Sequence, residues 1–230
     1  MKLKITSISV LTILFTLTTL KAQEYDINNN FGFWNEIFIT KKFDSKWSTT
    51  NEFHFRSGKF AAQRDQILIR PSLNYQFNNG IKFSSGYTYI ENYNYEGSGR
   101  APKAIENNMW EQISYRIPFK GFSVFQWIRL EHRWTNGFKN RFRYRFEVSK
   151  PLGEVFNTPI SAFVLNELFI VHNKKLRPFS VNQNWVYMGF DFNLNKNLRL
   201  RTGYHNIYLP SSLTSAENRH IWETFLFITL

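Results

Sequence analysis

Cysteine is missing from all 230 residues. Its absence excludes a disulfide-stapled scaffold, a thiol nucleophile and any thiolate metal site. It also excludes a lipoprotein anchor, which needs a cysteine after the leader. No Gly-x-Ser-x-Gly elbow and no His-Glu-x-x-His pair occurs, so two common hydrolase signatures are missing. Phosphate loops, calcium loops and internal repeats of 20–50 residues are absent as well. Helical periodicity is not sustained anywhere after the first two dozen residues. Acidic residues are scarce, 17 against 29 lysines and arginines.

What is present begins with a leader. Lys2 and Lys4 precede an apolar stretch, Ile5 to Leu20, whose only polar members are Thr and Ser. Lys21, Ala22 and Gln23 follow, and the sequence then turns polar and Asn-rich. A basic start, an apolar core and a small residue before the break predict a secretory signal peptide over residues 1–22, cleaved after Ala22. The stretch is short for a membrane-anchor helix of ~20 residues. Residues 23–230 then form one domain, and loss of Lys2, Lys4 and Lys21 lowers the formal charge of +12 by three. A basic exported chain with no nucleic-acid motif points to an anionic lipid surface rather than to nucleic acid. Aromatic residues make up 18% of the chain, and Trp and Tyr favour a membrane–water interface.

From residue 31 onward the hydrophobic pattern has period two. Ile67, Ile69, Leu73, Tyr75 and Phe77 alternate with Gln66, Arg70, Ser72, Asn74 and Gln76. Asn78-Asn79-Gly80 then reads as a tight hairpin turn. Phe142, Tyr144, Phe146 and Val148 alternate with Arg141, Arg143, Arg145, Glu147 and Ser149. Eleven strands are read this way: 31–41, 46–56, 64–77, 81–91, 105–118, 122–134, 141–150, 160–172, 180–193, 198–209 and 219–230. Most exceed the five or six residues usual in soluble proteins and match the 9–11 of a tilted membrane-spanning strand.

Connections alternate in length. Lys42–Ser45, Asn78–Gly80, Lys120–Gly121 and Leu194–Asn197 are short; Ser57–Gln63, Asn92–Ala104, Asn173–Phe179 and Pro210–Asn218 are long. Such asymmetry is that of outer-membrane barrels. Leu152–Pro159 breaks it. Because bacterial single-chain barrels use even strand numbers, the expected fold is an all-β, antiparallel transmembrane β-barrel of twelve strands, with ten as the alternative. Either residues 24–30 supply a further strand or cross the lumen, or the count of eleven is off by one element.

Two groups of side chains stand out. Tyr75, Phe77 and Phe83 gather near one turn, and Tyr87, Tyr89, Tyr204 and Tyr208 near the opposite rim, which predicts two aromatic girdles. Arg129, Glu131 and Arg133 share a face with Arg141, Arg143, Arg145 and Glu147 on the next strand. Pairing Glu131 with Arg143 or with Arg145 sets the acid against arginine in either register. The cluster is either a salt-bridged interior that rigidifies the barrel or a basic constriction for anions.

Phe31-Gly32-Phe33-Trp34-Asn35-Glu36, the hairpin Thr40-Lys41-Lys42-Phe43-Asp44-Ser45-Lys46-Trp47-Ser48, Arg64-Asp65-Gln66 before Arg70-Pro71, Gly86-Tyr87-Thr88-Tyr89 and the closing Arg219-His220 together resemble a family known as domain of unknown function 2490. The resemblance covers residues 24–230. It implies an exported outer-membrane barrel and carries over no activity and no catalytic residue. Such barrels often end in Phe, whereas this chain ends Phe227-Ile228-Thr229-Leu230.

The functional expectation is an outer-membrane barrel of a Gram-negative bacterium that forms a narrow, anion-preferring pore or a transport-associated barrel. Its partners are outer-membrane lipid and, during biogenesis, the barrel-assembly machinery; no cofactor, metal or catalytic residue is expected. Three alternatives stay open. One is a closed barrel acting through loops 92–104 and 210–218. Another is a lipid-modifying enzyme built around one of His54, His132, His172, His205 and His220. The third is a soluble periplasmic lipid carrier with its apolar face inward.

Overall fold

The computed structural model describes residues 26–59, 63–93, 102–173, 177–212 and 215–230. The leader expected over residues 1–22 lies outside these described residues.

Eleven strands follow one another along the chain: β1 (Asp26–Lys42), β2 (Trp47–Gly58), β3 (Gln63–Gln76), β4 (Lys82–Asn92), β5 (Ala104–Phe119), β6 (Phe122–Thr135), β7 (Gly137–Val155), β8 (Thr158–Asn173), β9 (Arg177–Asn195), β10 (Leu198–Pro210) and β11 (Ser215–Thr229). Each pairs antiparallel with its sequence neighbour, and the sheet closes through a parallel pairing of β1 with β11. The expected counts of twelve and ten are both incorrect, and so is antiparallel pairing throughout. An up-and-down chain with an odd number of strands has its first and last strands pointing the same way, so they can close the sheet only in parallel. Even numbering is a habit of bacterial barrels, not a requirement of closure. Residues 26–30 form no additional strand and do not cross the lumen. They prolong β1 and pair with Ser215–Arg219.

The strands of the second half are longer than periodicity indicated. The strand expected over 141–150 runs on through Pro151 and Gly153 to Val155. A register shift between Pro151 and Gly153 absorbs the irregularity, with Gly153 at φ 111°. The expected long connection 152–159 is therefore a two-residue turn. Phe156 and Asn157 both take positive φ, 49° and 60°, as a twisted hairpin demands. All five turns at this end, 43–46, 77–81, 120–121, 156–157 and 196–197, are short; we call it the turn end. Connections at the other end, the loop end, vary from the single residue 136 to the eleven residues 93–103. The predicted asymmetry thus rests chiefly on that one connection.

Alternation along each strand sorts the side chains between two environments. On β7, Phe142 and Phe146 face outward and are 38% and 42% exposed, while Arg141, Arg143 and Glu147 point inward and are buried. The same holds on β3, where Ile69 and Leu73 are exposed and Arg70, Ser72 and Asn74 are buried. Apolar residues therefore cover the outside and polar ones line much of the inside. Two inward apolar clusters interrupt the polar lining along β1 and β8–β11. Trp34, Phe169, Trp185, Ile207 and Ile221 form one; Phe163, Leu165, Tyr187 and Phe225 form the other. Between β9 and β10 the sheet is pinched at Gly189, which faces Gly203. A Cβ on either glycine would lie 2.1 Å from a carbonyl oxygen of the partner strand, so only glycine permits this approach.

Candidate functional site: the charged lumen

The hairpin of β6 and β7 supplies the densest charge. Register places Glu131 opposite Arg141 and Arg129 opposite Arg143. Neither predicted register occurs, but Glu131 does face arginine. Its Oε2 accepts from Nε of Arg141 at 2.6 Å, and its Oε1 accepts from Nη1 of Arg143 at 2.6 Å. Arg143 continues to Glu167 on β8, donating through Nε at 2.6 Å, and Arg145 donates to the other oxygen of Glu167 at 2.7 Å. Arg133 turns the other way and donates to Glu106 on β5 at 2.7 Å. Six of the predicted residues thus join ion pairs within this wall, while Glu147 pairs elsewhere. A carboxylate out of water is costly unless its oxygens are filled, and here each oxygen of Glu131 and Glu167 receives at least one arginine N–H.

Glu147 looks across the barrel. Arg201 on β10 donates to it through Nη1 and Nη2 at 2.9 and 3.0 Å, and also holds Asp191 through Nε and Nη2 at 2.9 and 2.7 Å. Arg199 adds a further bond to Asp191 at 2.8 Å. On the facing wall, His54 touches Glu52 through Nε2 at 3.0 Å and Glu36 through Nδ1. Arg70 and Arg56 complete these two carboxylates at 2.8 and 3.1 Å. Arg219 on β11 reaches Asp65 on β3 at 3.1 Å, a second bridge between strands that are not neighbours.

The enclosed space is a cavity of about 720 Å³. Lysines and arginines on its wall outnumber carboxylates, even with Glu131, Glu167 and Asp191 included. Aromatic faces carry part of the cationic load: the guanidinium of Arg129 lies 4.2 Å from the Trp110 ring, and that of Arg56 4.0 Å from Trp34. His205 bonds Glu223 through Nδ1 at 2.6 Å beside Trp34, Trp185 and Tyr187.

Glu36, Glu52, Arg70, Glu106, Glu167, Asp191, Arg201 and Glu223 are lumen residues that the sequence analysis does not group into a site. Their signal was available: a charged residue on the polar parity near the middle of successive strands. Only the β6–β7 hairpin was read that way, because its charges are consecutive along one face.

The girdle aromatics are placed as follows. Tyr75 and Phe77 pack edge-to-face at the turn end, with Trp47 against Tyr75 at 4.7 Å, and Phe83 stands across from Tyr75 in register. Tyr87 bonds Asn107, Tyr89 bonds Glu91 and Tyr204 bonds His220, all on the outer face towards the loop end. Tyr208 stands opposite Asn218. His132 contacts Asn140 and Glu111 on the outer face, so the four described histidines occupy separate sites. The side chain of His172 lies outside the described residues. Among the described residues, no group of His, Asp and Glu is arranged to hold a metal. In the turn 43–46, Asp44 accepts the backbone N–H groups of Lys46 and Trp47, both at 2.7 Å, and these bonds hold its carboxyl below the usual carboxylate range.

Closed, odd-stranded, apolar outside and ion-paired inside, the chain is a single-sheet β-barrel of inverted polarity. Its sequence matches, over residues 31–218, the model of a family described as "Protein of unknown function (DUF2490)", and the chain belongs to that family. An uncharacterized protein of Methylorubrum extorquens is 26% identical over 181 residues, 75% of this chain and 76% of that protein. Among solved structures, a bacterial polysaccharide outer membrane secretin aligns with a TM-score of 0.37 and 11% identity, over 77% of this chain and 82% of that one.

Proposed function

We propose that this barrel resides in the bacterial outer membrane after removal of its leader and provides a narrow, anion-preferring passage. The observation that carries the reading is the direction of the two faces. Exposed Ile, Leu, Phe, Met and Val ring the outside, while the charges are collected and paired within. In water that outer surface would be an aggregation liability; in lipid it is the required solvent contact. Strands of 11 to 19 residues are long enough to span a bilayer at a tilt. The lining carries excess positive charge, and low-dielectric walls focus such a field on entering ions. This reading gives the chain no catalytic role. Lipid and the assembly machinery are its partners.

A second reading is favoured by the cross-lumen pairs. Glu147–Arg201 and Asp65–Arg219 tie together strands that do not touch through the sheet. Pairs of this kind suit a closed barrel that acts through its outer connections, of which 94–101 and 213–214 lie outside the described residues.

Two measurements decide. A heat-shift gel on isolated outer membranes should show folded and boiled forms migrating differently; recovery from the soluble periplasm without a shift would overturn the membrane assignment. Planar-bilayer recordings should then give small, anion-selective steps. A folded barrel without conductance would leave the closed reading in place.

A further inference from the structure

Among the described residues, the cationic side chains lining the cavity are matched to carboxylates with two exceptions, Lys82 and Arg116. These two are neighbours. Lys82 stands opposite Ser114 in the β4–β5 register, and Arg116 is two residues further along the same face of β5, at the turn end of the lumen. Arg116 spends one N–H on the hydroxyl of Ser123 at 2.9 Å, and its guanidinium rests over Phe125 at 4.6 Å. Neither contact neutralises it.

A third cation lies one rung deeper. Arg129 is 6% exposed and is held by Gln112, whose Oε1 accepts from Nε at 2.9 Å and from Nη2 at 2.7 Å. Its Nη1 has no hydrogen-bond partner, and the nearest carboxylate oxygen, on Glu131, is 3.9 Å away. A buried arginine N–H left open is costly unless a ligand or water fills it. The carboxylates towards this mouth, Glu147 and Asp191, are already saturated by Arg201 and Arg199.

We propose that Lys82, Arg116 and Arg129 form a subsite for a water-soluble oxyanion of the phosphate class at the turn-end mouth of the lumen. A tetrahedral oxyanion offers several acceptors to donors carried on the inward face of three consecutive strands, β4, β5 and β6, and an ammonium beside guanidinium groups suits it. The site faces inward, so the sheet separates it from lipid headgroups on the outer surface. The inference deepens the anion-preferring reading of the lumen but asks only that the turn end admit solute.

The test is calorimetric titration of inorganic phosphate into the full chain, refolded in zwitterionic detergent and verified by its heat shift, at constant ionic strength. The wild type should bind saturably. Lys82→Gln/Arg116→Gln should bind about ten-fold more weakly or worse, since two charge-assisted contacts are lost. Lys82→Arg should keep the affinity. A control, Lys120→Gln/Lys139→Gln, removes the same charge from exposed positions and should leave binding unchanged. No saturable binding by the wild type, equal binding by the lumen double variant, or equal weakening by the surface control would each overturn the subsite. Conductance is read separately: binding without conductance removes the passage and keeps the subsite, whereas conductance without binding removes the subsite alone.

Discussion

Arg201 on β10 grips both oxygens of Glu147 on β7, with two whole strands between them in the sheet. The contact is made across the curvature of the wall, so it ties the cross-section of the barrel and not merely a hairpin. Glu147→Ala leaves the guanidinium with Asp191 alone and should cost about 3–5 kcal/mol of stability, the usual penalty for halving a buried pair. Glu147→Leu/Arg201→Met should recover much of that loss. Urea unfolding of the refolded protein in detergent would measure both.

Glu131 neutralises part of the charge of Arg141 and Arg143. Glu131→Gln should therefore do two things at once. Resistance to urea should fall, by about 3 kcal/mol at the low end of the range for a broken buried pair. The reversal potential in a salt gradient should move further towards anions. A shift towards cations would contradict an arginine-governed lumen.

The parallel closure can be tested with the chain's own lack of cysteine. Asn35 on β1 and Thr224 on β11 are register partners, and both lie on the outward parity. Adjacent strands are about 4.8 Å apart, within disulfide reach. Asn35→Cys/Thr224→Cys should cross-link on mild oxidation and give a boiled band of altered mobility, restored by reductant. If a further strand intervened between β1 and β11, no cross-link would form.

Phe146 sits on the outer face of β7, 42% exposed. Phe146→Arg should lower stability in lipid vesicles by about 2–4 kcal/mol if the site faces the bilayer midplane. In a water-facing wall the same change would be nearly neutral. Folding yield and urea midpoint in vesicles distinguish the two.

Asp44 gives a pH signature at the turn end. Its carboxyl is held below the ordinary range by two backbone N–H donors. A depressed folded pKa contributes stability that is present above the unfolded value and is lost as the pH falls through the folded one. The β1–β2 turn should hence loosen only below about pH 4, where an unperturbed Asp begins to protonate. Asp44→Asn should remove that dependence, as read by amide exchange at Lys46 and Trp47.

Much of this fold was legible because period two is hard to mistake. The strands read at 64–77 and 122–134 match β3 and β6 to within a residue or two. Period two alone marks eleven strands, the number in the barrel, and only the even-number habit of bacterial barrels raises the expectation to twelve. The pattern ends a strand at 150, whereas a single bulge lets β7 run on through Pro151 and Gly153 to Val155. The site was legible in part. Charges clustered along one hairpin face were found, but Glu52, Glu167 and Asp191 are single acids in separate strands. Only three-dimensional closure brings each to its arginines. Arg201 and Glu147 are 54 residues apart in sequence, and no local pattern encodes their meeting.

Because β1 and β11 run in the same direction, Asp26 and Leu230 lie at opposite mouths of the barrel: Asp26 pairs with Ser215 at the loop end, while Leu230 bonds the backbone of Thr40 at the turn end. A barrel with one more or one fewer strand would bring the start of β1 and the end of the last strand to the same side. In a bilayer spanned by this sheet, Asp26 and Leu230 would face different compartments, so that a reagent confined to one side would reach only one of them.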